Sequence, residues 1–210
     1  MNFVLSSDRL ILKPPQPADI APWSELYSDT ELTKFVGGAV SVPVARQRVL
    51  AAAGAWSLLG YGPFSAFERR TGDWIGCIGP AFLDDWPGHE LGWRLRRGAR
   101  GNGYATEGAS LALDWAFASL GWSDVIHSIH PDNLASISVA RRLGATDLGE
   151  LTYPPGHSAS HLLAWGQTAS EWQARRTPGA RDAHNKKLQI EATAPATSMS
   201  HVRPCAYWTR

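Results

Sequence analysis

The residues best placed to do chemistry are concentrated in one run, Arg96-Arg97-Gly98-Ala99-Arg100-Gly101-Asn102-Gly103-Tyr104-Ala105, which follows a strand-like segment and opens a long amphipathic helix. A pyrophosphate needs several N–H donors converging on it, and a helix N-terminus supplies them together with a favourable dipole. Glycines at 101 and 103 remove the Cβ atoms that would hold the backbone away from phosphate, and they allow positive φ. Ala105 keeps the first helical turn thin, and the arginines add counter-charge, with Arg100 at the mouth of the turn. The plainer alternative is a glycine-rich turn that only joins strand to helix. The run is not a Walker loop, because the closing Gly-Lys-Ser/Thr is missing. It is not a dinucleotide fingerprint, because the third glycine and the acidic residue closing the next strand are absent.

A second polar cluster begins at His130-Pro131-Asp132-Asn133-Leu134-Ala135-Ser136, where a strand ends and a short helix starts. Asn133 and Ser136 share the first turn of that helix, and Asp132 or Asn133 can serve as its N-cap. His127 and His130 lie three apart on a strand and point to opposite faces, so they cannot share a metal. His157 and His161 have no cysteine or carboxylate partner at ligand spacing, and no metal is expected. Cys77 reads as a small buried strand residue and not as a nucleophile.

Those segments need elements to hold them. Residues 9–13 alternate like a strand and stop at Pro14 and Pro15. Pro17 opens a helix carrying Ile20, Trp23, Leu26 and Tyr27 at helical spacing. Gly37 and Gly38 mark a loop. Pro43 begins a second helix, with Val44, Val49 and Ala53 on one side, ending near Gly60. Strands follow over 61–68, 74–83 and 89–95, separated by turns at 71–73 and 84–88. Residues 103–120 form the strongest helix, with Ala105, Ala109, Leu113, Ala116 and Phe117 in one stripe and Gly121 closing it. A strand over 124–129, a helix over 134–143 capped by Gly144, and strands over 147–152 and 161–165 complete the order βααβββαβαββ. This is a mixed α/β domain over 7–176. From 177 to 210 the chain is rich in Ala, Thr, Ser and Pro and reads as a weakly structured tail, with 187–192 a candidate edge strand.

Composition narrows the functions available. Twenty basic and 19 acidic residues give a net charge of +1 over 210 residues, so neither nucleic acid nor an anionic membrane is an indicated partner. Two distant cysteines, Cys77 and Cys205, make no disulfide framework. No stretch approaches the ~18 apolar residues of a spanning helix, and the N-terminus lacks a secretory pattern. A cytoplasmic setting is the expectation. The ten tryptophans can pack a core or wall a cleft.

The segments Glu90-Leu91-Gly92-Trp93-Arg94-Leu95, Arg100-Gly101-Asn102-Gly103-Tyr104-Ala105-Thr106-Glu107 and Asn133-Leu134-Ala135-Ser136, with Arg142-Leu143-Gly144, together resemble the GNAT superfamily of N-acetyltransferases. Ser7-Asp8-Arg9-Leu10 and Ala18-Asp19 resemble its branch of ribosomal-protein N-terminal acetyltransferases typified by RimJ and RimL. The resemblance implies the GNAT acyl-CoA N-acyltransferase fold: a central, mostly antiparallel mixed sheet flanked by helices and splayed between its fourth and fifth strands. It implies acetyl-CoA as acetyl donor, its pyrophosphate held by the amides of Arg100 to Ala105 and its pantetheine arm along Leu91, Trp93 and Leu95. Asn133 matches an asparagine near that arm, and Ser136 a serine near the thioester sulfur. The tyrosine that many members place seven residues after this asparagine is Ala140 here, which makes Ser136 or a water the replacement proton donor. Glu90, at the start of its strand, is the first candidate for the base acting through water, with a surface strand carboxylate as the alternative. Glu107 reads as a complement to the helix dipole, and Asp84 and Asp85 as turn residues. The loop Phe35-Val36-Gly37-Gly38 and the helix after Pro43 are expected to wall the acceptor side, with Trp23, Trp56 and Trp86 as its aromatic lining. The acceptor would be a primary amine, of a protein N-terminus or a small molecule, and the protein a monomer or homodimer. A non-catalytic acyl-CoA-binding module is the main rival reading, and a nucleotide-binding protein using the same turn is the second.

Overall fold

The computed structural model describes residues 3–81, 86–151 and 161–176. Asp84, Asp85, His157, Cys205 and the segment 177–210 lie outside the described residues. Five strands form one antiparallel sheet in chain order: β1 (Leu5–Ser6), β2 (Leu10–Lys13), β3 (Phe64–Glu68), β4 (Trp74–Pro80) and β5 (Leu91–Leu95). A second sheet has the order β6-β8-β7, built from β6 (Asp124–Ile129), β7 (Thr146–Glu150) and β8 (Leu163–Thr168). Among the described residues one parallel backbone bridge joins the two sheets, Glu90 to Ile126, where Ile126 N–H donates to His89 O at 2.8 Å. Beyond that bridge β5 and β6 diverge. This is the expected splay, since the short Leu5–Ser6 strand precedes the predicted four and makes these the fifth and sixth.

Helices cover both faces. On one lie α1 (Ile20–Ser28), the four-residue α2 (Thr30–Thr33) and α3 (Val42–Leu58). Trp23, Tyr27, Ala45, Val49 and Ala52 from these helices bury against Cys77 of β4. The buried side of α3 is therefore Ala45, Val49, Ala52, Ala55 and Trp56, whereas Val44 is exposed. The expected Val44–Ala53 stripe is corrected: the flat distribution of alanines lets packing, not pattern, choose the face.

On the other face, α4 (Tyr104–Trp115) packs Ala109, Ala112 and Leu113 on the sheet. Gly108 lets it approach, because a Cβ there would stand 2.5 Å from Ile78 Cδ1. The helix continues as a wider turn over Ala116–Leu120 before Gly121 at φ 68° ends it. Beside α4 runs α5 (Leu134–Leu143), bounded as its caps predict: the Asn133 side chain accepts from Ser136 N–H, and Gly144 takes φ 96°. A last helix, α6 (Ala169–Arg176), was not expected. Thr168 and Glu171 exchange hydrogen bonds at its start, and Trp172 Nε1–H donates to Asp114 at 2.8 Å, fastening it to α4. Among the described residues no helix is long and apolar enough to cross a membrane.

Candidate active site

The turn between β5 and α4 is a row of idle donors. Gly101 and Gly103 both adopt φ 80°, and a Cβ at Gly101 would enter open space. The first helical amide with a protein partner is Glu107, which donates to Gly103 O at 3.1 Å. Ahead of it, the N–H groups of residues 101–106 donate to no acceptor among the described residues. An α-helix leaves its first amides unsatisfied. Here the preceding glycine turn adds two more, all at the positive end of the dipole.

The basic residues around this turn divide differently from the expectation. Arg97 is paired with Asp29 through two hydrogen bonds, at 2.8 and 3.1 Å, and Arg96 stands 3.6 Å from Asp73. Arg100 donates through Nε to Leu95 O. The cation nearest Gly103 is Arg9, from β2's leading turn. It pairs with Glu107, donates to Asn102 O at 3.0 Å, and lies over the Tyr104 ring. Ser7 donates to the other Glu107 oxygen at 2.6 Å. Glu107 is thus engaged on both oxygens, and ties β1–β2 to the turn.

From the turn, the free edge of β5 leads into the splay. Ala81 N–H to Glu90 O and Arg96 N–H to Ile75 O fix the even-numbered residues toward β4. By the alternation of an antiparallel ladder, Leu91, Trp93 and Leu95 present their backbone groups to the opposite edge. Two of these carbonyls are occupied: Leu91 O by His127 Nδ1 at 2.6 Å, and Leu95 O by Arg100. The cleft is lined by Phe35, Val36, Glu90, Trp93, Arg94 and His127, with Asn133 and Ser136 at its α5 side. Phe35 closes against His130, ring centroids 5.2 Å apart.

Glu90 stands at the closed end of the splay. Its carboxyl accepts from Ser128 N–H (2.9 Å), Ser128 Oγ–H (2.5 Å) and Trp86 Nε1–H (3.1 Å). Burial raises its pKa above the ordinary carboxylate range, and the Ser128 and Trp86 hydrogen bonds oppose the rise. Glu90 is therefore no surface strand carboxylate. Of the tryptophans expected to wall the acceptor, Trp23 and Trp56 are instead core residues, hydrogen-bonded to Ser65 and to Pro63 O. Trp86 faces a separate cavity of about 310 Å³ behind Glu90, with Tyr61, His89 and Trp122. Ala140 is fully buried among Ile129, Ile137 and Trp165. Cys77 is buried, and burial raises its thiol pKa.

Sequence reasoning did not single out His127 as a cleft residue. It is buried, its Nδ1 carries the proton given to Leu91 O, and its Nε2 has no partner among the described residues. Burial lowers its pKa to about 4. An unfolded histidine titrates near 6.5, so the unfolded chain takes up this proton first. The contribution to stability is complete above pH 6.5 and is lost as pH falls toward 4. Between pH 7 and 5 the loss should be about 2 kcal/mol. Urea unfolding at both pH values should give a dependence steeper by that amount in the wild type than in His127→Leu. Glu90, whose raised pKa acts in the opposite direction, is common to both proteins.

A family model described as an acetyltransferase (GNAT) domain matches residues 9–146. The uncharacterized protein YkkB of Bacillus subtilis is 30% identical over 148 residues, spanning 67% of this chain and 83% of YkkB. The crystal structure of an acetyltransferase from Agrobacterium tumefaciens superposes with a TM-score of 0.68 at 30% identity, covering 78% of this chain and 93% of that one. Mycobacterium smegmatis RimJ, in complex with CoA-disulfide, is similar in fold: TM-score 0.62, 20% identity, 80% and 86% coverage.

Proposed function

Because the chain belongs to the GNAT acetyltransferase family and is an acyltransferase, we propose that it binds acetyl-CoA in the splay between β5 and β6 and transfers the acetyl group to a primary amine. The observation that carries this reading is the row of six idle amides over 101–106, followed by the edge of β5 that faces away from β4 and, at the closed end of the splay, a buried carboxyl. Acetyl-CoA supplies the activated acetyl thioester, and everything else falls to the protein. The amides of Gly101, Asn102, Gly103, Tyr104 and Ala105, with Arg9 and Arg100 nearby, hold the pyrophosphate. Leu91, Trp93 and Leu95 take the pantetheine arm as an added strand. Asn133 and Ser136 border that arm from α5.

The β5 edge amide of Trp93 faces the charge that develops on the acetyl oxygen. Glu90, through a water, takes the proton from the attacking amine, and its raised pKa improves it as a base near neutral pH. Ser136 or water returns a proton to the leaving thiolate, since Ala140 offers none.

A direct competition tests the cofactor assignment. Acetyl-CoA should displace a fluorescent CoA analogue from the protein, and ATP and NAD should not. Preference for ATP or NAD would overturn the reading. The buried Ala140 favours one second reading, a non-catalytic acyl-CoA-binding module. Turnover with any amine eliminates it.

A further inference from the structure

The carboxylate whose charge reaches Arg94 is Glu90, and the two form no salt bridge among the described residues. The Nε of Arg94 is buried without a hydrogen-bond partner, and its guanidinium makes no ion pair among the described residues. Its neighbours are the Tyr27 ring, with the guanidinium carbon 5.5 Å from the centroid, and the Cys77 thiol. Both are neutral, because burial raises the pKa of each. A second cation, Arg48, lies 5.2 Å from the same ring. Glu90 is four residues back on the same strand face, but its carboxyl is committed to Ser128 and Trp86. Arg94 is half-buried with its Nε cut off from water, and a polar atom buried without a partner is costly.

The position of Arg94 supplies the missing partner. Alternation along β5 places Arg94 on the face of α1 and α3, with Glu90, while Leu91 and Leu95 pack beneath α4. Arg94 lines the cleft beside Phe35, Val36 and Ser128. We propose that Arg94 receives an oxyanion borne by the acceptor, so that the acceptor is a small amine that also carries a carboxylate or phosphonate. A guanidinium fork suits either group bidentately. A polyamine would instead bring a second positive charge toward Arg94 and Arg48. This inference rests on the acetyltransferase reading and narrows it.

The test compares acetyl transfer to amino acids of increasing chain length, their carboxamides and their aminophosphonates, with acetyl-CoA titrated in parallel. The wild type should favour an acid over its own amide by roughly a hundredfold or more in kcat/KM. The acid and phosphonate arms identify which oxyanion fits. In Arg94→Met the acid-to-amide ratio should fall toward one, and Arg94→Lys should restore part of it. Equal turnover of acid and amide by the wild type, or an unchanged ratio in a folded Arg94→Met, overturns the proposal and leaves the acetyltransferase reading intact. Failure to bind acetyl-CoA overturns both.

Discussion

Gly103→Trp should remove acetyl-CoA binding while leaving the protein folded. Gly103 caps α4 at φ 80°, and a Cβ built there has its nearest neighbour, Arg9 Nη2, at 3.5 Å. The Cβ itself therefore fits, and the cost to folding is the backbone strain of an L-residue in the left-handed region, about 1–3 kcal/mol. The indole does not fit beside a phosphate. It must cover the idle amides of residues 101–106 or displace Arg9 from Glu107 and Asn102. Either outcome removes charge-assisted hydrogen bonds, each worth about 1.5–3 kcal/mol. Losing two of them weakens binding by at least roughly a hundredfold. Calorimetric titration of acetyl-CoA into both proteins reads this directly, with circular dichroism confirming the fold. Binding by the variant within about threefold of wild type would place the cofactor elsewhere.

The second large effect is expected at Glu90. Glu90→Gln keeps the volume and an oxygen to accept from Ser128, but it cannot take a proton. A positioned general base contributes roughly 10²–10⁴-fold, and kcat/KM should fall within that range for an acceptor of lysine-like pKa near pH 7. The loss should shrink for amines of low pKa, because an α-amine near pKa 7.7–8.0 already presents free base where one near 10.4 presents about a thousandth. It should shrink again as pH rises. In the wild type, activity should rise with the ionisation of a group titrating above the ordinary carboxylate range, because burial lifts the pKa of Glu90. That limb should vanish in the variant. An unchanged pH profile in Glu90→Gln would assign the proton to another acceptor, for which His127 Nε2, unpartnered among the described residues, is available in the cleft.

What the sequence disclosed followed the range of the interactions concerned. The helix Leu134–Leu143 matched its predicted bounds because Asn133 and Gly144 cap it within a few residues of chain. The turn Arg100 to Ala105 was legible for the same reason, since two glycines and a helix start are local chemistry. The capping box that begins α6 is just as local, formed by Thr168 and Glu171 three residues apart. Contacts spanning 38 to 100 residues were not legible. Ser7 and Arg9 on Glu107, and the Glu90–Ser128 bonds, appear only when the sheets assemble. Burial is equally tertiary, so aromatic content alone could not separate Trp23 and Trp56, which fill the core, from Phe35, which lines the cleft. Arg94 carried no signal of its own in the sequence. That its Nε lacks a partner emerged only from its neighbours on β4 and α1.

The central claim is acetyl transfer at the splay, and product formation tests it most directly. Wild-type protein is incubated with acetyl-CoA and a panel of primary amines, and both released CoA thiol and acetylated amine are quantified, the latter by mass spectrometry. The expected result is equal amounts of thiol and N-acetyl product with at least one amine, both absent in Gly103→Trp. Tight binding of acetyl-CoA, with neither product above the protein-free background for any amine, would contradict transfer and leave an acyl-CoA-binding module.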